Sequence, residues 1–138
     1  MPTAKTIFYI FGNPLLDFDN LPIQITPDLI KIFPSVDFVI MDPNENLHPL
    51  NKEINIIDTI INTENVILIT DIDKFDTQTL YSMHDLDLSF NLKLLKKVGE
   101  LEKINIIGVP PHFNKKECIK QVAKIIRDIT AKNIIYSG

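Results

Sequence analysis

Asp19, Asp71 and His84 are the side chains in this sequence best suited to act together. Asp19 is expected to follow the first strand. Asp71 closes the run Val66-Ile67-Leu68-Ile69-Thr70, and His84 stands just ahead of a helix. Ligands of open α/β sheets bind outside the carboxyl ends of the strands, so these three are candidates for one point above a sheet edge. Two carboxylate oxygens and one neutral imidazole nitrogen suit a borderline divalent ion such as nickel or zinc, with open positions for water or substrate. Spacing alone leaves the ordinary alternative open, because Asp is common where strands end and His is common in loops.

The other chemistry-bearing residues have plainer readings. Asp42 precedes Pro43 as a turn former, Asp87 is an N-cap candidate, and Asp73 competes with Asp71 but fits the strand end less well. His48 and His112 stand beside prolines in polar loops, and His112 is the nearer outsider because it follows the last strand. Cys118 lies among helix-periodic neighbours and reads as an inert core thiol. Ser82 and Ser89 flank His84, but no nucleophile elbow surrounds them. Neither a glycine-rich dinucleotide fingerprint nor a phosphate-loop Lys-Ser/Thr is present.

The elements that must position these residues alternate between strand and helix. Lys5 to Phe11 and Val36 to Met41 read as strands, with a helix between them from the Thr26-Pro27 start, or from an earlier one near Pro22, to Phe33. Asn51 to Asn62 is ambiguous, and Ile54, Ile57 and Ile61 at i, i+3 and i+7 favour a helix. Val66 to Thr70 is then expected as a central, doubly buried parallel strand. Thr77 to Tyr81 is a candidate edge strand, and Leu88, Leu92 and Leu95 line a helix closed by Gly99. Ile104 to Val109 is the last strand. Asn114 and Glu117 open a terminal helix with Cys118, Val122, Ile125 and Ile129 on its buried face. The pattern predicts a three-layer α/β/α sandwich around a mostly parallel, doubly wound sheet of about five strands, with room for an antiparallel edge strand.

The bulk numbers fit that picture. A chain of 138 residues with 45% hydrophobic and 23% charged residues is expected to form a single domain spanning residues 1–138. A net charge of −4 with scattered basic residues gives no nucleic-acid footprint. No apolar run approaches the roughly 20 residues of a membrane span, no signal-peptide pattern opens the chain, and the single cysteine fits a reducing compartment. A cytoplasmic monomer is the expectation.

Four blocks in register add a resemblance. They are Phe11-Gly12-Asn13-Pro14-Leu15-Leu16 with Asp19, then Ile69-Thr70-Asp71, then Met83-His84-Asp85-Leu86-Asp87-Leu88-Ser89-Phe90, and finally Ile107-Gly108-Val109-Pro110-Pro111. Together, from about residue 5 to about residue 128, they resemble the hydrogenase maturation proteases. The resemblance implies an endopeptidase that removes the C-terminal extension from a nickel-loaded precursor of a nickel–iron hydrogenase large subunit. It implies Asp19, Asp71 and His84 as metal-binding and catalytic residues. It also implies nickel supplied by or shared with the precursor, with cadmium or zinc able to substitute. The family usually carries an acidic pair and a glycine-containing segment where this chain has Phe18-Asp19-Asn20-Leu21-Pro22, so Asp17 is the alternative to Asp19. Two other readings compete: a receiver-like phosphoacceptor with Asp71 as acceptor, and a non-catalytic precursor-binding module on the same fold. The receiver reading lacks its lysine, because Val109-Pro110-Pro111-His112 stands there.

Overall fold

The computed structural model describes residues 6–12, 20–41, 47–61, 63–73 and 83–137, with the backbone alone for 83–87 and 132–137. The aromatic and β-branched run Thr6–Ile10 forms β1, and Val36–Ile40 forms β2 beside it in parallel, with Thr6 level with Val36 and Ile10 level with Ile40. Between them α1 spans Leu21–Ile32 and begins at the earlier of the two expected starts, next to Pro22, and not at Thr26-Pro27. Leu21, Ile25 and Leu29 recur at i, i+4 and i+8 on the buried side, and burial of that stripe carries the helix through Pro27. Thr26 is not the cap. Its hydroxyl instead donates to the carbonyl of Pro22 within the helix at 2.8 Å.

The expected helix over residues 51–62 is a strand. β3 spans Glu53–Thr59, and every residue from Ile54 to Thr59 is buried. Four isoleucines between Ile54 and Ile60 fill both faces of the sheet. That is the continuous apolar pattern of a central parallel strand, whereas a helix would have presented one face to water. The next run also departs from expectation. β4 is only Ile67–Ile69, lies at the sheet edge, and pairs antiparallel with β5 (Lys103–Val109). The centre of the sheet is therefore β3, and the strand order is β2-β1-β3-β5-β4. The candidate strand at residues 77–81 lies outside the described residues.

Helix α2 spans Met83–Lys97 and ends at Gly99, whose φ of +83° is the left-handed conformation of a helix terminus. Helix α3 spans Lys115–Ser137. Its N-cap is the expected one: the side-chain oxygen of Asn114 accepts from the Glu117 N–H at 2.9 Å. The two sheet faces bury separate cores. On one face Phe8, Ile10, Ile57, Ile107 and Val109 meet Leu21, Ile25 and Leu29 of α1 and Cys118, Val122, Ile126 and Ile129 of α3. On the other, Tyr9, Ile54, Ile56, Ile60, Ile69 and Ile106 meet Leu88 and Leu92 of α2. The result is the three-layer α/β/α arrangement. Among the described residues no helix is long and apolar enough to cross a membrane.

Candidate functional site

From β1 the chain moves outward to β2, then returns across β1 to place β3 on its other side. The boundary between β1 and β3 is therefore a topological switch point, and open α/β sheets bind ligands outside the carboxyl ends of the strands there. Register fixes which residues stand at that opening. Ile10 is level with Ile57, and the Phe11 N–H donates to the Ile57 carbonyl at 2.9 Å, so Asp58 is the residue facing the exit of β1. On its other side Asp58 is level with Gly108 of β5.

Asp58 is the acid that the sequence reading passed over. It is 1% exposed, and one carboxylate oxygen accepts from the Thr59 N–H at 2.8 Å. Side chains alternate along a strand, so Asp58 shares a face with Ile54, Ile56 and Ile60, which belong to the core beneath α2. Gly108 places no side chain next to it; a Cβ there would overlap Cδ1 of Ile60 and lie 2.8 Å from its Cγ1. The signal that could have found Asp58 is the dense β-branched run Ile54-Asn55-Ile56-Ile57 ending in an acid, the same signature that drew attention to Asp71.

His84 lies in the first turn of α2. The other end of α2 leads through Gly99 and Leu101 into Lys103, the first residue of β5. The helix is 15 residues long, about 22 Å, and β5 is 7 residues, about 23 Å. Running antiparallel to β5, α2 therefore returns its N-terminus to the carboxyl edge, on the sheet face that Asp58 occupies. The side chain of His84 lies outside the described residues, as do Asp17 and Asp19. The two ends of their segment, Gly12 after β1 and Asn20 before α1, both belong to this edge.

Asp71 is not brought to it. β4 starts level with Gly108 and runs backwards, so Ile69 is already level with Ile106, about 7 Å nearer the amino edge. The chain continues that way into Asp71. This side chain is exposed, and its Oδ1 accepts from the Asp73 N–H at 3.0 Å, a local Asx turn. Asp73 is exposed too, and Asp42 lies outside the described residues. His112 is exposed just after β5 at the carboxyl edge with φ of +58°, and His48 is exposed near the other end of the sheet. Cys118 is fully buried on the core face of α3, and burial pushes its thiol pKa up to about 12. Ser89 is buried on the core side of α2.

Among the described residues no three His, Cys, Asp or Glu side chains form a metal site. Among the described residues the switch point offers one donor of the kind a divalent ion takes, the Asp58 carboxylate. A buried carboxylate held by its neighbour's amide offers a pre-oriented oxygen, and the backbone of His84 in the first turn of α2 lies at the same edge.

No protein-family model matches the chain, and no curated protein matches it. Solved structures do. The hydrogenase-maturating endopeptidase HybD from E. coli superposes with a TM-score of 0.63 at 18% identity, over 89% of this chain and 93% of that one. The NiFe hydrogenase maturation protease HybD from Thermococcus kodakarensis superposes with a TM-score of 0.60 at 16% identity, over 90% of this chain and 98% of that one. The protein has the fold of these two maturation proteases across nearly its whole length.

Proposed function

We propose that this protein is a hydrogenase maturation endopeptidase that removes the C-terminal extension from a nickel-loaded precursor of a nickel–iron hydrogenase large subunit. One observation carries the reading: Asp58, a buried carboxylate, is the penultimate residue of the central strand at the switch point of a fold shared with two maturation proteases. In this reading Asp58 takes the role the sequence suggested for Asp71. Together with His84 and with Asp19 or Asp17, it meets the nickel carried by the precursor, and cadmium or zinc can take the same place. An ion held there by these residues would supply polarisation of the scissile carbonyl or a lowered pKa for the attacking water. The chain's own part is to fix the donors in advance: the Thr59 amide holds the Asp58 carboxylate, and α2 delivers His84 from the helix side. Cys118 is no rival nucleophile, because a buried thiol with its pKa near 12 is not a thiolate at neutral pH.

The test is release of the C-terminal peptide from purified nickel-loaded precursor, followed by intact mass. Asp58→Asn and His84→Ala are expected to lower processing by about a hundredfold or more, and Asp71→Asn is expected to leave it unchanged. Full activity of Asp58→Asn would overturn the assignment. Binding of the precursor without any cleavage by the wild-type protein would favour a non-catalytic module.

A further inference from the structure

Helix α2 has a second apolar stripe that faces away from the core. Leu88 and Leu92 are buried against the sheet, yet Phe90, Leu94 and Val98, recurring every four residues, are 66%, 49% and 61% exposed. Side chains four apart are neighbours on a helix surface, so the three form one continuous ridge. It begins about 9 Å along the axis from His84 and ends about 21 Å from it. Lys97 follows Leu94 by three residues and borders the ridge on one flank, and Lys96 lies beyond it. From Leu88 to Val98 there is no Asp or Glu, in a chain whose net charge is −4.

We infer that this ridge is the docking surface for an acidic, apolar-faced segment of the protein substrate, which it holds while the cleavage site lies at the switch point. The inference rests on the proposed maturation activity. Charge selects the occupant. Lys96 and Lys97, exposed beside the ridge, attract carboxylates around an apolar stripe. A second copy of this chain would bring the same lysine-flanked stretch, without Asp or Glu from Leu88 to Val98, to a two-fold contact. A membrane would receive only three apolar side chains from a helix whose other face is pinned in the core.

The experiment measures processing of nickel-loaded precursor over a range of precursor concentrations, alongside direct binding of that precursor, for the wild-type protein, Leu94→Glu and Lys97→Glu. Both substitutions are at exposed positions, and melting temperatures are expected to be unchanged. KM is expected to rise about tenfold or more in each variant with kcat unchanged, the signature of lost binding shared by ground and transition states. The wild-type KM should also climb with salt more steeply than that of Lys97→Glu. Unchanged KM in both variants, with wild-type cleavage intact, overturns the docking surface and leaves the protease reading standing. Precursor binding that weakens in the variants, in a wild-type protein that never cleaves, overturns the protease reading and supports the surface. If the wild-type protein neither binds nor cleaves the precursor, both fall. With KM unchanged, a fall from dimer to monomer mass in Leu94→Glu, or loss of co-sedimentation with anionic vesicles, overturns the inference in favour of self-association or a lipid surface.

Discussion

At the scale of single residues, Asp58 and Asp71 show why identical local signatures can carry opposite meanings. Each acid ends a β-branched run, Ile54-Asn55-Ile56-Ile57 in one case and Val66-Ile67-Leu68-Ile69-Thr70 in the other. What separates them is strand direction: β3 runs toward the switch point and β4 runs away from it. Direction is a property of the pairing partner and leaves no mark on the strand's own residues. Cys118 was more legible, because a small apolar-like residue on a helix stripe has one comfortable place. Its burial has a measurable consequence. The thiol pKa is raised from 9.0 to about 12, so on raising the pH the unfolded chain loses this proton before the folded one does. The contribution is fully present below about pH 9 and is lost as the pH approaches 12. Denaturant unfolding at pH 8 and pH 10.5 is therefore expected to show a larger fall in stability for the wild-type protein than for Cys118→Ala. Equal falls would mean that the thiol is hydrated.

At the scale of elements, the helices were readable and the sheet was only partly so. Gly99, the Asn114 cap and the Leu88/Leu92 stripe fix α2 and the start of α3 from local chemistry alone. β3 resembles a helix in sequence because Ile54, Ile57 and Ile61 match a helical period, while the intervening Asn55 and Asp58 look like a polar face. Both are buried. The side-chain amide of Asn105 donates to the side-chain oxygen of Asn55 at 2.9 Å and to Glu53 at 3.0 Å, and that of Asn55 donates to the Ile7 carbonyl at 3.3 Å. This row of amides crosses three strands. Pairing of that kind is tertiary, so no window of sequence could reveal that the two asparagines satisfy each other. Asn105→Ala is expected to cost about 1–3 kcal/mol, because it strips a buried acceptor of its donor. Another strand-to-strand constraint lies at Gly108, where an added methyl meets Ile60. Gly108→Ala is expected to destabilise by about 1–3 kcal/mol. Ile60→Val, which removes the overlapping Cδ1, should recover part of that loss. Additive costs in the double variant would show that the strain lies elsewhere.

At the scale of the whole molecule, the sheet order bears on the receiver alternative. A receiver has the doubly wound order 2-1-3-4-5. This sheet reads β2-β1-β3-β5-β4 with β4 antiparallel, and Val109-Pro110-Pro111-His112 occupies the place of the expected lysine. The proposed site instead draws on three separate parts of the fold: the segment between β1 and α1, the end of β3, and the head of α2. Any ion gripped by all three stabilises the native state alone, since the unfolded chain does not hold these groups together. At an ion concentration a hundred times the dissociation constant, linkage adds about 2.7 kcal/mol. In a chain of 138 residues that raises the melting temperature on the order of 10 °C. Thermal unfolding with saturating nickel or cadmium, reversed by chelator, is therefore expected to show a shift of this size in the wild-type protein and in Asp71→Asn, and none in Asp58→Asn. An equal shift in Asp58→Asn would remove the central strand's carboxylate from the site. A shift lost only in Asp71→Asn would return the role to the edge strand, against the direction in which β4 runs.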